Sequence, residues 1–454
     1  MLNVTEKIKI KFASTFNKNL LKAKLSLVQQ SINYDLLNLL FLILFLSHQL
    51  FQIRRGGTWW DDINLIETTD IILEKYRLFF VDRNNPYLSE FNNANNEFYG
   101  YIVILPITIF TNFIYQFIYN TDVSIDLGYY IIRYSIFNIY CVILLRIIYQ
   151  KLKFFYKDSA SFLIIFFFVL TPSVNGHMLF NFKDVPYALH SFLLFLIVLT
   201  IKSKTKNSPL RIKIVFYVSI FYSLLLLVRI NGILLFVFVW YFSTFYYLGK
   251  SDRLVEFIKS SVDFVKIHIF SLLLFFLATP SAWQKPKLYF ERIIEVQFSF
   301  PDEVFTLTNG VFISSLKMDP TYLVTWYFYK LPIVFHIALI YLIVTYKKAE
   351  SINVFNTFSA SFLIIFFIAF TVIKPAAYDG IRQYLFLMPY FSIVLIIYFQ
   401  QIKNILTKLM LISTFTAYII FTQFSLENLK YIYFNEFTPN IESNIEDCTK
   451  LKSC

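Results

Sequence analysis

The chain is poor in charged residues, glycine, histidine and cysteine, and each shortage excludes a class of protein. Only 15% of its 454 residues are charged, against about 25% in soluble globular domains, so the chain is not expected to fold in water. Its nine glycines lack the spacing of a Gly-rich phosphate loop, which argues against a nucleotide-binding turn. Its five histidines and three cysteines lack metal-ligand spacing, so we expect no zinc site.

Apolar and aromatic residues are abundant instead. They make up 57% of the chain, including 55 Phe and 32 Tyr, and the mean hydropathy is +0.59. Windows almost free of charge recur, each near the ~20 residues that a spanning helix needs. A transmembrane barrel would show weaker alternation over about ten residues. The sequence predicts an all-α polytopic membrane protein with apolar windows at 36–53, 98–119, 128–150, 160–175, 186–201, 211–228, 231–248, 264–279, 327–346, 357–373, 384–400 and 406–423.

The net charge of +12 could indicate a nucleic-acid partner, but the positions of the basic residues argue against one. They lie in the N-terminal arm and in short connections between apolar windows, where Lys and Arg set membrane orientation. We therefore interpret them as topology signals and contacts with anionic membrane lipids. The clusters are at 151–157, 202–213, 250–266, 347–348 and 403–408.

These clusters predict an orientation. If every basic connection is cytoplasmic, segment 54–127 must begin and end on the outer side of the membrane. Window 98–119 then does not span, and its Pro106 and polar start suit an interfacial or re-entrant helix. We favour eleven spans with the N-terminus inside, and twelve spans with one misplaced basic loop is the alternative.

This orientation divides the chain into three parts. A cytoplasmic basic arm covers 1–35, a transmembrane domain covers 36–423, and an outer-face tail covers 424–454. The large outer loops are 54–127 and 280–326. The first of them is rich in acidic residues, namely Asp61, Asp62, Glu67, Asp70, Glu74, Asp82, Glu90 and Glu97.

The stretch TWWDDINLIETTD follows the first apolar window. Trp59 and Trp60 are typical of an interface anchor. Asp61 and Asp62 have two interpretations: a solvated helix start, because carboxylates favour the first turn, or a pair in which one carboxylate is a general base.

The stretch HMLFNFKDVPYAL places Lys183 and Asp184 before a span that Pro186 opens. They are either a snorkelling lysine with an aspartate cap or part of a site.

The stretch KPAAYDGIRQYLFLMP places Asp379 and Arg382 between two spans. An outer arginine breaks the positive-inside trend, and phosphate would explain it because a guanidinium binds phosphate bidentately.

In this order, these stretches resemble the GT-C membrane glycosyltransferases, particularly the protein O-mannosyltransferases and the lipid A aminoarabinose transferases. WWDDINLIETT resembles the family's acidic pair in the first outer loop, NFKDVPYAL its NxKDxPF segment, and AYDGIRQYLFLMP its YDGxRHxLFxxP segment. YLVTWYFYKLP and YIYFNEF are weaker matches. The chain departs from the family at Gln383, where His is common, and it lacks an Asp-Tyr-Trp element after YFNE.

The resemblance implies a GT-C-like bundle of about 11–12 spans that uses a polyprenyl- or dolichyl-phosphate-linked sugar donor. Transfer to a hydroxyl of a glycan, lipid or protein acceptor would occur on the outer or lumenal face, with inversion. Asp61 and Asp62 would be the catalytic pair, with Asp61 as the base, and Lys183 and Arg382 would bind the donor phosphate. The resemblance implies no cofactor, and a divalent metal is not expected. Substrate contacts are expected from Asp184, Asp379, Glu97 and His177.

Two other classes remain alternatives. A transporter or a flippase for lipid-linked sugars would place ionisable residues at mid-membrane, whereas these spans are nearly bare of acidic residues. A membrane scaffold would need neither a Lys-Asp nor an Asp-Gly-x-Arg segment on one face. The expected location is the inner (plasma) membrane of a bacterium, or the endoplasmic reticulum membrane of a eukaryote.

Overall fold

A computed structural model describes residues 32–54, 62–83, 85–90, 101–206, 208–248, 253–298, 303–345, 354–426, 430, 433–436 and 438. This part of the chain is mostly helical. Its first helices are α1 (Tyr34–Ile53), α2 (Asp62–Val81), α3 (Tyr101–Tyr119), α4 (Leu127–Leu152), α5 (Asp158–Leu170), α6 (Pro172–His177), α7 (Asp184–Thr205) and α8 (Ile212–Val228). The later helices are α9 (Gly232–Tyr246), α10 (Arg253–Leu277), α11 (Pro286–Phe298), α12 (Tyr322–Lys330), α13 (Ile333–Thr345), α14 (Val354–Ile373), α15 (Met388–Gln401) and α16 (Ile405–Ser425).

Short elements join these helices. A two-stranded antiparallel hairpin, β1 (Phe305–Thr308) and β2 (Val311–Ser314), lies between α11 and α12. Its turn residues Asn309 and Gly310 both have positive φ, as a tight hairpin requires. Among the described residues, 3₁₀ turns lie at Pro86–Ser89, Pro280–Ala282 and Arg382–Leu387, and the last of them leads directly into α15.

Eight helices in the described part are long and apolar enough to cross a membrane. The count becomes nine if α12 and α13, which meet at a bend of 116°, form one broken span. Three shorter apolar helices are α5, α8 and α9. Each of the twelve apolar windows falls on one of these helices or on the bent pair. The architecture is therefore that of a chain able to cross a membrane several times.

The helices α7 and α15 lie at the centre of the bundle. Within an 18-residue apolar stretch of each candidate span, 89% of the residues are buried in Asp184–Thr205 and 83% in Arg382–Gln401, against 17% in α16. They pack through aromatic pairs, such as Phe192 with Tyr390, whose ring centroids are 5.6 Å apart. Because Asp184 and Arg382 begin these two spans, the fold carries both residues to one end of the core.

The opposite end of the bundle is held by a separate ion-pair network. Asp35 on α1 accepts hydrogen bonds from Arg146 at 3.2 Å and from Lys153 at 2.5 Å, both near the end of α4. Lys153 also pairs with Asp158 on α5 at 3.1 Å. In the predicted orientation this is the cytoplasmic end, so Asp184 and Arg382 would face the outer side.

The helix α3 corresponds to the window that we expect not to span. It runs without interruption through Pro106. It packs between α2 and α4, where Thr108 contacts Thr69 at 3.4 Å and accepts a hydrogen bond from Arg133 at 2.5 Å. It is also one of the eight candidate spans, so its position relative to the membrane stays a prediction.

Labelling of introduced cysteines tests that prediction. After replacement of Cys141, Cys448 and Cys454, single cysteines at Asn95 and Asp122 should both react with a membrane-impermeant thiol reagent from outside, because the basic connections require both ends of 98–119 to lie there. If the cysteine at position 122 reacts only from the cytoplasmic side, α3 crosses the membrane and the eleven-span topology is wrong.

Candidate functional site

One asparagine, Asn181, fixes the conformation of the segment before α7 through its hydrogen bonds. The Asn181 side-chain oxygen accepts hydrogen bonds from the backbone N–H of Lys183 at 3.2 Å and of Asp184 at 2.9 Å. Its side-chain nitrogen donates to Asp184 Oδ2 at 3.0 Å. Such Asx turns fix a short polar segment without regular secondary structure. Asn181 thereby holds the Asp184 carboxylate inside the protein and leaves Lys183 partly exposed.

Two arginines meet at the Asp184 carboxylate. Arg229, at the end of α8, donates from Nη2 to Asp184 Oδ1. Arg382 lies on the other oxygen, with 3.5 Å from Nε to Oδ2. Asp184 is 3% exposed, so these charges interact in a poorly solvated setting where removal of one partner is costly. The carboxylate therefore holds two guanidinium groups side by side.

A strained turn positions Arg382. Asp379 and Gly380 have φ of 56° and 62°, in the left-handed region. A Cβ on Gly380 would lie 2.8 Å from the Trp326 ring, so the indole covers the turn at a distance that only glycine permits. The Gly380 N–H donates to the Tyr322 hydroxyl at 3.0 Å. Within the turn, Arg382 Nη1 pairs with Asp379 Oδ2 at 2.9 Å.

Of the predicted catalytic pair Asp61 and Asp62, the structure describes only Asp62. Asp62, the first residue of α2, is fully buried and accepts a hydrogen bond from the Tyr134 hydroxyl on α4. Arg133 Nε lies 3.7 Å from the same carboxylate. Asp61 and Glu97 lie outside the described residues. Asp62 is thus engaged with α4 inside the protein and is not a solvated carboxylate.

Arg133 joins the start of α2 to the segment before α7. Its guanidinium carbon lies 4.6 Å from the centre of the Phe182 ring, in a cation–π contact. Phe182 directly precedes Lys183 and Asp184 in the chain. Asp62 and Phe182 therefore contact the same short stretch of α4, at Arg133 and Tyr134.

His177 ends α6 beside this cluster, and its Nδ1 lies 3.5 Å from the Asn181 side-chain nitrogen. The pKa of the His177 imidazole is lowered to about 3, chiefly by burial; the Asp184 carboxylate opposes this shift, and the positive charges of Arg382 and Lys330 add to it. The side chain is therefore neutral at physiological pH. It could exchange hydrogen bonds with a substrate hydroxyl but would add no charge.

The fold brings six of the eight predicted site residues to one end of the core, namely Asp62, His177, Lys183, Asp184, Asp379 and Arg382. Sequence reasoning did not include Asn181, Arg229 and Tyr134 in the site. Arg229 carried a signal, because it is a second arginine at the end of a span on the side that we predict to be the outer one. Among the described residues, no group of three or more His, Cys, Asp or Glu side chains could hold a metal ion, and the expected absence of a metal stays a prediction.

In comparisons with known proteins, no protein-family model matches the chain, and no curated protein matches it significantly.

Proposed function

We propose that the chain is an inverting membrane glycosyltransferase of the GT-C type. It would move a sugar from a polyprenyl- or dolichyl-phosphate donor to an acceptor hydroxyl on the outer or lumenal face. The observation that best supports this proposal is the pair of guanidinium groups held around Asp184 beside Lys183. Phosphate is the anion that such a planar, multidentate group of donors suits.

The reaction needs a base and a set of cations. The acceptor oxygen attacks the anomeric carbon from the face opposite the phosphate, and its proton passes to a carboxylate, which we assign to Asp61. The bond between the anomeric carbon and the phosphate oxygen breaks, and its electron pair stays on the phosphate. The charge that develops there would be stabilised by Arg382 and Lys183.

The contacts suggest separate roles for the acidic residues. Asp184 is held by Arg229 and Arg382, so its proposed role is to orient the arginines. Asp379 is 31% exposed at its side chain and lies beside Arg382, which leaves it able to contact the sugar. His177, being neutral, would contact a sugar or acceptor hydroxyl. The proposed acceptor is a glycan, lipid or protein, and a bacterial inner membrane is the location that we favour.

The transporter or flippase class is less well supported by the positions of buried charges. Arg133 lies in the first two turns of α4, and Lys202 lies in the last turn of α7. Transport paths place ionisable side chains at mid-membrane, often on broken helices. In the described spans, these two buried cations lie near helix ends instead.

Lipid identification tests the proposal. We expect the purified protein to retain a polyprenyl- or dolichyl-phosphate sugar, detected by mass spectrometry of the extracted lipids. Arg382→Ala and Lys183→Ala should weaken donor retention and sugar transfer, because each removes a cation from the phosphate. Arg382→Lys should rescue only in part, because an ammonium lacks the bidentate fork.

The control is Lys317→Ala, which removes an exposed lysine after the hairpin. All variants should insert and fold, because Asp184 keeps Arg229 when Arg382 is removed. Normal donor retention and transfer in both site variants would exclude the phosphate role. A bound, transported solute with no lipid-linked sugar would favour the transporter class.

A further inference from the structure

The β-hairpin between α11 and α12 buries its polar side chains and exposes its aromatic ones. Thr306 and Thr308 on β1 are buried, whereas Phe305 and Phe312 are 52% and 67% exposed. Leu307 pairs directly with Phe312, and Phe305 lies two residues before Leu307, so all three lie on one face of the hairpin. A hairpin at a water surface normally turns its polar face outward. The apolar face formed by Phe305, Leu307 and Phe312 therefore suits an apolar medium.

The helix α12 holds the hairpin by its other side. The Trp326 indole N–H donates to the Thr308 hydroxyl at 3.0 Å, on the face opposite the aromatic rings. At the turn, the Tyr329 hydroxyl donates to the Asn309 side-chain oxygen at 3.0 Å. The Trp326 ring also covers the strained turn of the candidate site at Gly380. The hairpin is thus fixed beside the site with its apolar face turned away from Trp326.

The end of α14 indicates the level of this region relative to the membrane. The Thr371 hydroxyl, in the last turn of the candidate span Val354–Ile373, lies 3.3 Å from the carbonyl oxygen of Pro320. Pro320 belongs to the segment that joins the hairpin to α12. Val372 and Ile373 are exposed, so apolar side chains face outward up to the end of α14. The segment between the hairpin and α12 therefore lies where this span would leave the hydrocarbon.

The exposed side of α12 is also apolar. Val324 and Phe328, four residues apart and so on one side of the helix, are both exposed. The bend of 116° between α12 and α13 turns α12 toward the membrane plane if α13 takes part in a span. A helix in that plane buries one apolar side in the boundary between headgroups and acyl chains. Val324 and Phe328 meet this requirement.

We propose that the apolar face of the hairpin and the exposed side of α12 form an interfacial anchor. This anchor inserts into the headgroup–acyl boundary of the bilayer, at the end of the bundle that carries the candidate site. Exposed apolar patches of this kind mark contacts with a membrane or a protein. Continuity with the exposed apolar residues at the end of α14 favours lipid as the partner. The inference goes beyond sugar transfer and needs only that the chain crosses a membrane.

Fluorescence quenching in lipid nanodiscs tests the inference, because both faces of the bilayer are then open to solution. After replacement of the native cysteines, Phe305→Cys and Phe312→Cys are each labelled with an environment-sensitive nitrobenzoxadiazole dye. A lipid with a nitroxide near its headgroup should quench both dyes several-fold more than aqueous iodide does. A nitroxide at the bilayer centre should quench them less, because an interfacial element inserts only about 5–10 Å.

Two control positions calibrate the measurement. Lys317→Cys, at an exposed lysine after the hairpin, should be quenched mainly by iodide. Ile365→Cys, at an exposed position near the middle of α14, should be quenched mainly by the nitroxide at the bilayer centre. Phe305 and Phe312 are both exposed, so their replacement should leave the protein folded.

Three outcomes would overturn the inference. Quenching of the dyes at positions 305 and 312 mainly by iodide would place the hairpin in water. Protection from iodide and from both nitroxides would show that a protein surface, such as a second copy of the chain, covers it. Stronger quenching by the nitroxide at the bilayer centre would mean that the hairpin lies within the hydrocarbon. None of these outcomes would affect the proposed transfer reaction, which is measured separately.

Discussion

Asp61→Asn should lower the rate of single-turnover sugar transfer by about 10²–10⁴-fold, which is the usual contribution of a general base. Asparagine keeps the size of the side chain but cannot accept the acceptor's proton. Donor binding should stay nearly intact, because the expected phosphate contacts lie on other residues. The assignment to Asp61 follows the GT-C pattern. It also agrees with the contacts of Asp62, whose buried carboxylate is engaged by Tyr134 and Arg133.

Asp62→Asn is the matched comparison. It should reduce turnover less and lower thermal stability more, because it removes the negative charge beside the buried Arg133 guanidinium. Both variants are measured at equal protein levels with saturating donor. If Asp62→Asn is inactive and Asp61→Asn has a near-wild-type rate, Asp62 is the general base and Asp61 is not. Full activity in both would mean that the pair is only a helix start.

Asp184→Ala should lower the free energy of unfolding by about 3–5 kcal/mol, as expected when one partner of a buried ion pair is removed. The Arg229 guanidinium would lose the carboxylate to which it donates, and Arg382 would lose its contact with Asp184 while keeping its contact with Asp379. Reversible unfolding in mixed micelles with increasing sodium dodecyl sulfate measures this change without a substrate.

Asp379→Ala provides the control, because it removes a carboxylate from the same arginine at a side chain that is 31% exposed. Its cost should be about 0–1 kcal/mol, since solvent screens exposed pairs. The double variant Asp184→Asn with Arg229→Gln should have a higher free energy of unfolding than Asp184→Asn alone, because removing one charge of each sign restores the charge balance. Equal stability of Asp184→Ala and Asp379→Ala would show that the buried pair does not hold the core.

The positions of the apolar helices could be predicted from the sequence because hydrophobicity carries the signal, whereas α2 and α11, which lie in the predicted outer loops, were not predicted. All twelve apolar windows fall on helices or on the bent pair. The placement of Lys183, Asp184, Asp379 and Arg382 at one end of the bundle could also be predicted from the sequence, because alternate helix ends lie on the same side of a bundle. Local patterns are enough for both inferences.

Contacts between distant segments could not be predicted in this way. The pairing of Arg229 with Asp184 depends on how α8 packs against α7, and nothing in the spacing of 45 residues requires it. The bend between α12 and α13 is another example, because Leu331 and Pro332 interrupt a window that reads as one span. From the sequence, Lys330 is indistinguishable from an ordinary interfacial lysine. Its contact with the ring of Phe434, about a hundred residues later, is visible only in the structure.

The contact of Arg133 with both Asp62 and Phe182 has a consequence for the order of binding. A donor that shifts the segment at Lys183 must also move Phe182, and with it the guanidinium on which the start of α2 depends. Under the proposed function, donor bound at Lys183 and Arg382 would change the affinity for the acceptor bound near Asp61, and thermodynamic reciprocity requires the reverse effect to be equal. The two substrates would then bind cooperatively, through a single side chain that touches neither of them.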